Sequence, residues 1–128
     1  MVGVAAPPPG KPHGKIDVYD FPESAVVNED KEWALSIHND GDISGVIFGG
    51  IANLDGNPGD IIIIWQGSER RVPPGYFWYF YGTRDVCQYA ATSGKVRFTA
   101  KGKYTIRLLG GHIIDGTKYI DDQIDIDG

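Results

Sequence analysis

The chain lacks the features that cross-link a fold covalently or anchor it in a membrane. Cys87 is the only cysteine among 128 residues, so no intrachain disulfide can form and stability has to come from packing. No stretch approaches the roughly 20 apolar residues that span a bilayer, and the N-terminus has neither the cationic nor the long apolar region of a signal peptide. We therefore expect one globular domain without membrane insertion.

Positive charge is also scarce. The 12 Lys and Arg residues are outnumbered by 17 Asp and Glu residues, which gives a formal net charge of −5. Nucleic-acid-binding domains usually carry a basic patch or stripe, so nucleic acid is not an expected partner. Glycine and proline are abundant instead, with 18 and 8 residues, which favours short strands joined by tight turns.

Helical periodicity is missing as well, and the dominant pattern has a period of two. Trp33, Leu35 and Ile37 alternate with small or polar residues, as expected of a half-buried strand. Residues 95–101 and 103–108 alternate in the same way and form a cationic face, which predicts an antiparallel hairpin. The last strand, residues 119–127, carries aspartates of the opposite charge, so we expect it beside that hairpin.

A further hairpin is predicted in LSIHNDGDISGVIF, residues 35–48. Its centre, residues 39–42, consists of Asn, Asp and Gly, which tolerate positive φ and form local hydrogen bonds. We expect this turn to be scaffold. Truncation of its residues Asn39 and Asp40 should therefore destabilise the fold less than truncation of the core.

Two apolar runs have no polar face: residues 61–65, IIIIW, and residues 76–81, YFWYFY. Successive side chains of a strand point to opposite faces, so only one aromatic triplet can fill a core. We expect the triplet that begins at Tyr76 to point inward. The other triplet would form an outward patch of the size that marks an interface, with isoleucines of the first run extending it. The predicted interaction surface is Phe77, Tyr79, Tyr81, Ile62 and Ile64.

Short strands and regularly spaced turns together predict an all-β fold, an immunoglobulin-like antiparallel β-sandwich of seven to eight strands over residues 15–128. Residues 1–14 contain PPPGKP and predict an extended N-terminal arm. The arm is either an unstructured tail or a segment that reaches a neighbouring subunit.

Three motifs occur in a familiar order: SIHNDGD at residues 36–42, VPPG at 72–75, and GKYTI at 102–106. This order resembles the immunoglobulin-like cell-adhesion-related (CARDB-type) domains of bacterial and archaeal surface proteins. In that resemblance Tyr104 is a tyrosine corner whose hydroxyl bonds the upstream backbone, and Ile106 takes the place of a disulfide cysteine. Truncating either should destabilise the fold by about 2 to 5 kcal/mol. Two further residues, Trp33 and Trp78, are expected in the core.

Catalytic and metal-binding motifs are sparse. Cys87 would be a nucleophile only if His38 or His112 lay beside it, and a buried structural thiol is the expected state. Calcium ligation is an alternative to simple turn chemistry for the acidic loop with Asp55, Asn57 and Asp60, and for the C-terminal aspartates. We expect no enzyme activity and no cofactor.

The predicted function is therefore a non-catalytic structural or interaction module that self-associates or docks onto a larger assembly through its aromatic face. The expected partner is protein, either a second copy in a homo-oligomer or an assembly partner, at a cell surface or virion. The alternative is a carbohydrate-binding module that stacks sugar rings on the same aromatic residues.

Overall fold

The period-two pattern forms nine β-strands in the computed structural model, which describes Gly3 and residues 10–127. In chain order they are β1 (Gly14–Asp20), β2 (Asp30–Asn39), β3 (Gly45–Asn53), β4 (Ile61–Trp65), β5 (Ser68–Val72), β6 (Tyr76–Arg84), β7 (Tyr89–Phe98), β8 (Thr105–Ile114) and β9 (Thr117–Asp127). Within these described residues there is no helix, and hence none with the length and apolarity needed to cross a membrane.

The strands pair antiparallel in two sheets, ordered β1-β2-β7-β4-β5 and β6-β3-β8-β9. The main core lies between the sheets and includes Trp33, Ile37, Ile51, Ile63 and Leu108, all at most 2% exposed. The prediction of an all-β antiparallel sandwich is confirmed. Burial of apolar side chains from both sheets supplies its main stabilisation.

Nine strands form rather than the predicted seven to eight. The additional strand is β5, whose sequence SERRV lacks the apolar alternation of a half-buried strand. β5 returns along β4 through Gln66 and Gly67, which have φ angles of 49° and 77°. Two successive residues with positive φ are the geometry of the tight turn that matches the twist of a β-hairpin.

The predicted hairpin over residues 35–48 is wrong. β2 and β3 belong to different sheets, so residues 40–44 cross from one layer to the other. The reason is Asn39, whose side chain is fully buried. Its Nδ2 donates to the carbonyl oxygens of Ile43 and Arg84, at 3.1 Å each, and its Oδ1 accepts from the amides of His13 and Gly41. Asn39 is therefore the hydrogen-bonding centre of an inter-sheet crossing.

The predicted hairpin over residues 95–108 is also wrong, because β7 and β8 lie in different sheets. Their connection contains the expected tyrosine corner. Tyr104 is 8% exposed, its hydroxyl donates to the Ala100 carbonyl oxygen at 2.8 Å, and its ring packs edge-on against Phe98. Burial raises the pKa of Tyr104. The chain thus changes sheets at a buried ring rather than reversing within one sheet.

The expected charge pairing of the last strand is found for one of the two basic strands. β9 lies beside β8, and Arg107 donates to Asp125 at 2.7 Å, a bond that lowers the pKa of the carboxyl group. Arg97 lies in the other sheet and pairs with Asp30 and Glu69 instead. Of the two basic strands, the acidic row therefore faces β8 and not β7.

The described end of the N-terminal arm packs on the sandwich. The amides of Asp42 and Asp40 donate to the carbonyl oxygens of Lys11 and His13, both at 3.0 Å, and Pro12 is buried. Residues 1, 2 and 4–9 of the predicted arm lie outside the described residues.

Replacing Tyr104 with phenylalanine should lower the free energy of unfolding by about 1 kcal/mol, because the ring stays buried while the Ala100 carbonyl loses its donor. Urea denaturation would measure the change. The matched control is Tyr81→Phe, at a residue that is 66% exposed, which should leave stability nearly unchanged. Equal effects in the two variants would argue against a stabilising tyrosine corner.

Candidate functional site

The aromatic strand β6 has the side-chain parity expected from the sequence, except at its start. Phe80 is 7% exposed, and the Trp78 ring lies edge-on to both Trp33 and Trp65, at 5.4 Å between centroids in each pair. Tyr76 has the inward parity but is 65% exposed. Of the three predicted aromatic rings, Phe80 thus enters the core, the half-buried Trp78 packs against it, and Tyr76 stays outside.

The outward triplet, which we call the aromatic surface, comprises Phe77, Tyr79 and Tyr81, exposed by 44%, 36% and 66%. Its central ring is already engaged within the molecule. Tyr79 packs edge-on against the fully buried Phe48, and the Lys118 ammonium lies 4.4 Å from the Tyr79 ring centroid. Phe48, Ala52 and Leu109 form a second, smaller core on this outer face of the four-stranded sheet. Part of the aromatic surface therefore serves packing.

The prediction that Ile62 and Ile64 extend the aromatic surface is wrong, because β4 belongs to the five-stranded sheet. Ile62 is 8% exposed and pairs in register with Arg71 on β5 and Arg97 on β7. Long arginine stems can cover apolar surface in this position. The predicted interaction surface is thus divided between two sheets.

The acidic loop suggested for calcium is occupied by local bonds. Asn57 bonds both the amide and the carbonyl of Thr105, Asp60 pairs with Arg71 at 2.8 Å, and Asp55 accepts from the Gly56 amide. Within residues 10–127, no group of three or more His, Cys, Asp or Glu side chains is arranged to hold a metal ion. These side chains form local contacts in and around the loop, which was the alternative to calcium ligation.

Cys87 is exposed, which contradicts its expected burial. It occupies the β6–β7 turn with a φ of 68°, and its amide donates to the Asn39 carbonyl oxygen. His38 stacks on Tyr89 at 4.7 Å, and His112 bonds Asp121. The contacts of these two histidines are therefore with residues other than Cys87.

A polar cluster that the sequence did not indicate lies where β1 begins. We call it the histidine–aspartate cluster, and it consists of His13, Asp40, His112 and Asp121. His112 Nδ1 lies 2.6 Å from Asp121 Oδ2, with the two side chains only 3% and 9% exposed, while His13 contacts Asp40. An irregularity of the β8–β9 ladder at Gly110 and Gly111 turns Asp121 towards the histidines. No sequence motif marks these residues, because they come from four separate segments.

The opposite end of the sandwich contains an interlayer pocket of about 210 Å³. It lies between Phe98 of the five-stranded sheet and Ile106 and Ile126 of the four-stranded sheet. Tyr104 completes its inner wall, and Glu23, Ser24 and Lys101 line it as well. The remaining lining residues are small or apolar: Pro22, Ala25, Val27, Ala100 and Gly102.

The pocket is covered by the segment between β1 and β2, residues 21–29, which we call the β1–β2 strap. Phe21, 6% exposed, anchors its beginning in the core. At its other end the Asn28 amide donates to the Phe98 carbonyl oxygen at 2.9 Å. Between these anchors Pro22, Glu23, Ser24, Ala25 and Val27 line the pocket, so the strap forms its outer wall.

No protein-family model and no curated protein matches the chain. Among solved structures, the chain is similar to that of AvmM, described as catalysing macrocyclization in alchivemycin A biosynthesis. The two chains share 11% identity over 88% of this chain and 87% of that one, with a TM-score of 0.46. At these values the likeness assigns no activity to this chain.

The prediction of a non-catalytic structural module, with its carbohydrate-binding alternative, is corrected, because the predicted interaction surface is divided between two sheets and part of its aromatic side chains serves packing within the molecule. Neither assignment is retained. The resemblance to cell-adhesion-related domains, the homo-oligomer and the cell-surface or virion location stay predictions.

Proposed function

We propose that the chain binds a small, neutral and mainly apolar molecule in the interlayer pocket. The observation that supports this function is a partly open pocket of about 210 Å³ with a mainly apolar lining, which lies between the two sheets at one end of the sandwich. Concave and mainly apolar sites of this kind are binding-site candidates.

The size of the pocket limits the ligand to one ring with a few substituents. A dry cavity of about 150 Å³ accommodates benzene, so about 210 Å³ suits a molecule of roughly eight to ten non-hydrogen atoms. Phe98, Ile106 and Ile126 offer apolar contact on two sides. The Tyr104 hydroxyl donates to Ala100, and its oxygen can still accept a hydrogen bond from a ligand hydroxyl.

The charges that line the pocket favour a neutral ligand. Glu23 and Lys101 both line it and are both exposed, so their opposite charges leave no net preference for an anion or a cation. The strap would close over the ligand and remove its apolar surface from water. Affinity for a molecule this small should lie at about 0.1 to 1 mM.

The test is an NMR titration of the full chain with p-cresol, compared with benzoate and benzylamine as charged molecules of similar size. We expect amide shifts with p-cresol that saturate and are confined to residues 23–27, 98–106 and 126. Shifts that fail to saturate by 10 mM, or that centre elsewhere, would contradict the proposal. Tighter binding of benzoate or benzylamine would overturn the neutral ligand class.

A pair of variants in the strap separates filling the pocket from disturbing the strap. Ala25→Phe places a ring at a residue that lines the pocket, and we expect it to weaken p-cresol binding at least tenfold. Val26→Phe is the matched control, because Val26 is 58% exposed and does not line the pocket within the described part of the chain. Unchanged binding in Ala25→Phe would exclude this pocket as the site.

A further inference from the structure

The two walls of the interlayer pocket are held in different ways. The outer wall is the β1–β2 strap, and the inner wall is the segment of residues 98–106. We propose that the strap is a lid, which moves between two fixed ends and closes over the ligand while the inner wall stays in place. The lid role rests on the proposed function, because the strap closes over the same ligand.

The inner wall is supported from behind by the loop of residues 54–60, which we call the bracing loop. The amide and the hydroxyl of Thr99 both donate to the carbonyl oxygen of Asp60, at 3.3 and 2.7 Å. The packing is close as well, since a Cβ on Gly59 would lie 2.7 Å from the Cβ of Ala100. The bracing loop therefore holds the inner wall by hydrogen bonds and by direct contact.

Two asparagines add to this support. Asn57 accepts from the Thr105 amide at 3.0 Å and donates to the Thr105 carbonyl oxygen at 2.8 Å. It also donates to Oδ1 of Asn53 at 2.7 Å, and Asn53 is only 1% exposed. The Asn53 Nδ2 donates in turn to the carbonyl oxygens of Gly59 and Val72. Displacing the inner wall would disturb the bonds that satisfy a buried side chain, which is costly.

The strap, in contrast, is fixed only at its ends. Phe21 belongs to the main core, and the Asn28 amide donates to the Phe98 carbonyl oxygen at 2.9 Å. Residues 22–27 form no hydrogen bond with any other segment of the described chain, and residues 23–27 are all exposed. Moving this stretch breaks no bond to either sheet. Segments with few such contacts open locally at low free energy.

The two fixed ends keep the strap over the pocket while its middle moves. Asn28 has a φ of 65°, and two residues later β2 begins at Asp30, whose carboxylate accepts from Arg97 at 2.8 Å. Ala25 and Val27 line the pocket from the strap. An inward movement brings them onto a bound ring and removes apolar surface from water. Because the closed strap contacts the ligand more than the open strap does, the ligand favours closure.

Backbone amide NMR relaxation of the full chain tests the lid, with order parameters for fast motion and relaxation dispersion for slow motion. Without ligand, we expect residues 23–27 to show motion by at least one of these measures and residues 99–105 to show neither. With saturating p-cresol, the motion of residues 23–27 should fall to the level of the inner wall. Equal rigidity of the two walls in the free chain would overturn the proposal.

A pair of insertions tests whether the strap closes on the ligand. Two glycines between Ser24 and Ala25 lengthen the lid, so closure has to order two more residues, and p-cresol binding should weaken at least about fivefold. The matched control places two glycines between Gln66 and Gly67, in the β4–β5 turn. This turn lies at the opposite end of β4 from the residue that pairs with Phe98, so binding should be unchanged. Equal losses in the two insertions would argue against a lid.

The lid and the proposed function fail in different ways. If p-cresol does not bind the unmodified chain at about 10 mM, the proposed function is wrong, and the closure of the strap over a ligand is wrong with it. If p-cresol binds in the pocket but residues 23–27 keep their motion, the ligand site stands and the lid alone is overturned.

Discussion

Replacing Asn39 with alanine is expected to destabilise the protein by about 3 kcal/mol or more, which would make it one of the most costly truncations in the chain. The Asn39 side chain is fully buried and bonds four backbone groups, those of His13, Gly41, Ile43 and Arg84. Removing it leaves two carbonyls and two amides without these partners. The expected result reverses the sequence-based ranking, in which the turn residues were to matter less than Tyr104 and Ile106.

Urea denaturation of Asn39→Ala and Asp42→Ala would measure this effect. Asp42 lies in the same inter-sheet crossing but has an exposed side chain, so its truncation should change stability by less than about 0.5 kcal/mol. A loss in Asn39→Ala no larger than in Asp42→Ala would mean that water or a local shift satisfies the four backbone groups.

Replacing Trp78 with alanine is expected to lower the free energy of unfolding by about 2 to 4 kcal/mol, somewhat less than for a fully buried aromatic ring, because Trp78 is half-buried against the core. The Trp78 ring joins the two sheets, because it packs edge-on against both Trp33 on β2 and Trp65 on β4. Its removal would leave a cavity bounded by two indole rings. Calorimetric or denaturant unfolding measures the loss directly.

The matched control for Trp78 lies on the same strand with the opposite orientation. Tyr81 is 66% exposed, so Tyr81→Ala should cost less than about 1 kcal/mol. Tyr79 should fall between them, since its ring is packed against Phe48 and under Lys118. A larger loss from Tyr81→Ala than from Trp78→Ala would show that β6 turns its other face to the core.

Much of this fold is readable from side-chain alternation, because a strand with one buried face needs an apolar residue at every second position. Trp33, Leu35 and Ile37 illustrate this, as each is at most 2% exposed. In β6 strand geometry predicts two opposite faces, but its run of six aromatic residues has no polar face that marks the outer one, and Tyr76 at the start of the strand is exposed despite its inward parity. These properties depend on residues close together in the chain.

Pairing between strands is a different matter, and only the tertiary structure decided it. An alternating pattern states that a face is buried but not in which sheet, so residues 35–48 and 95–108 were equally compatible with hairpins and with inter-sheet crossings. Buried side chains made the choice: Asn39 at one crossing and Tyr104 at the other. The histidine–aspartate cluster and the interlayer pocket arise from these crossings, which bring together residues far apart in sequence. Composition and periodicity determined an all-β sandwich, whereas the candidate sites depend on long-range contacts that no local pattern encodes.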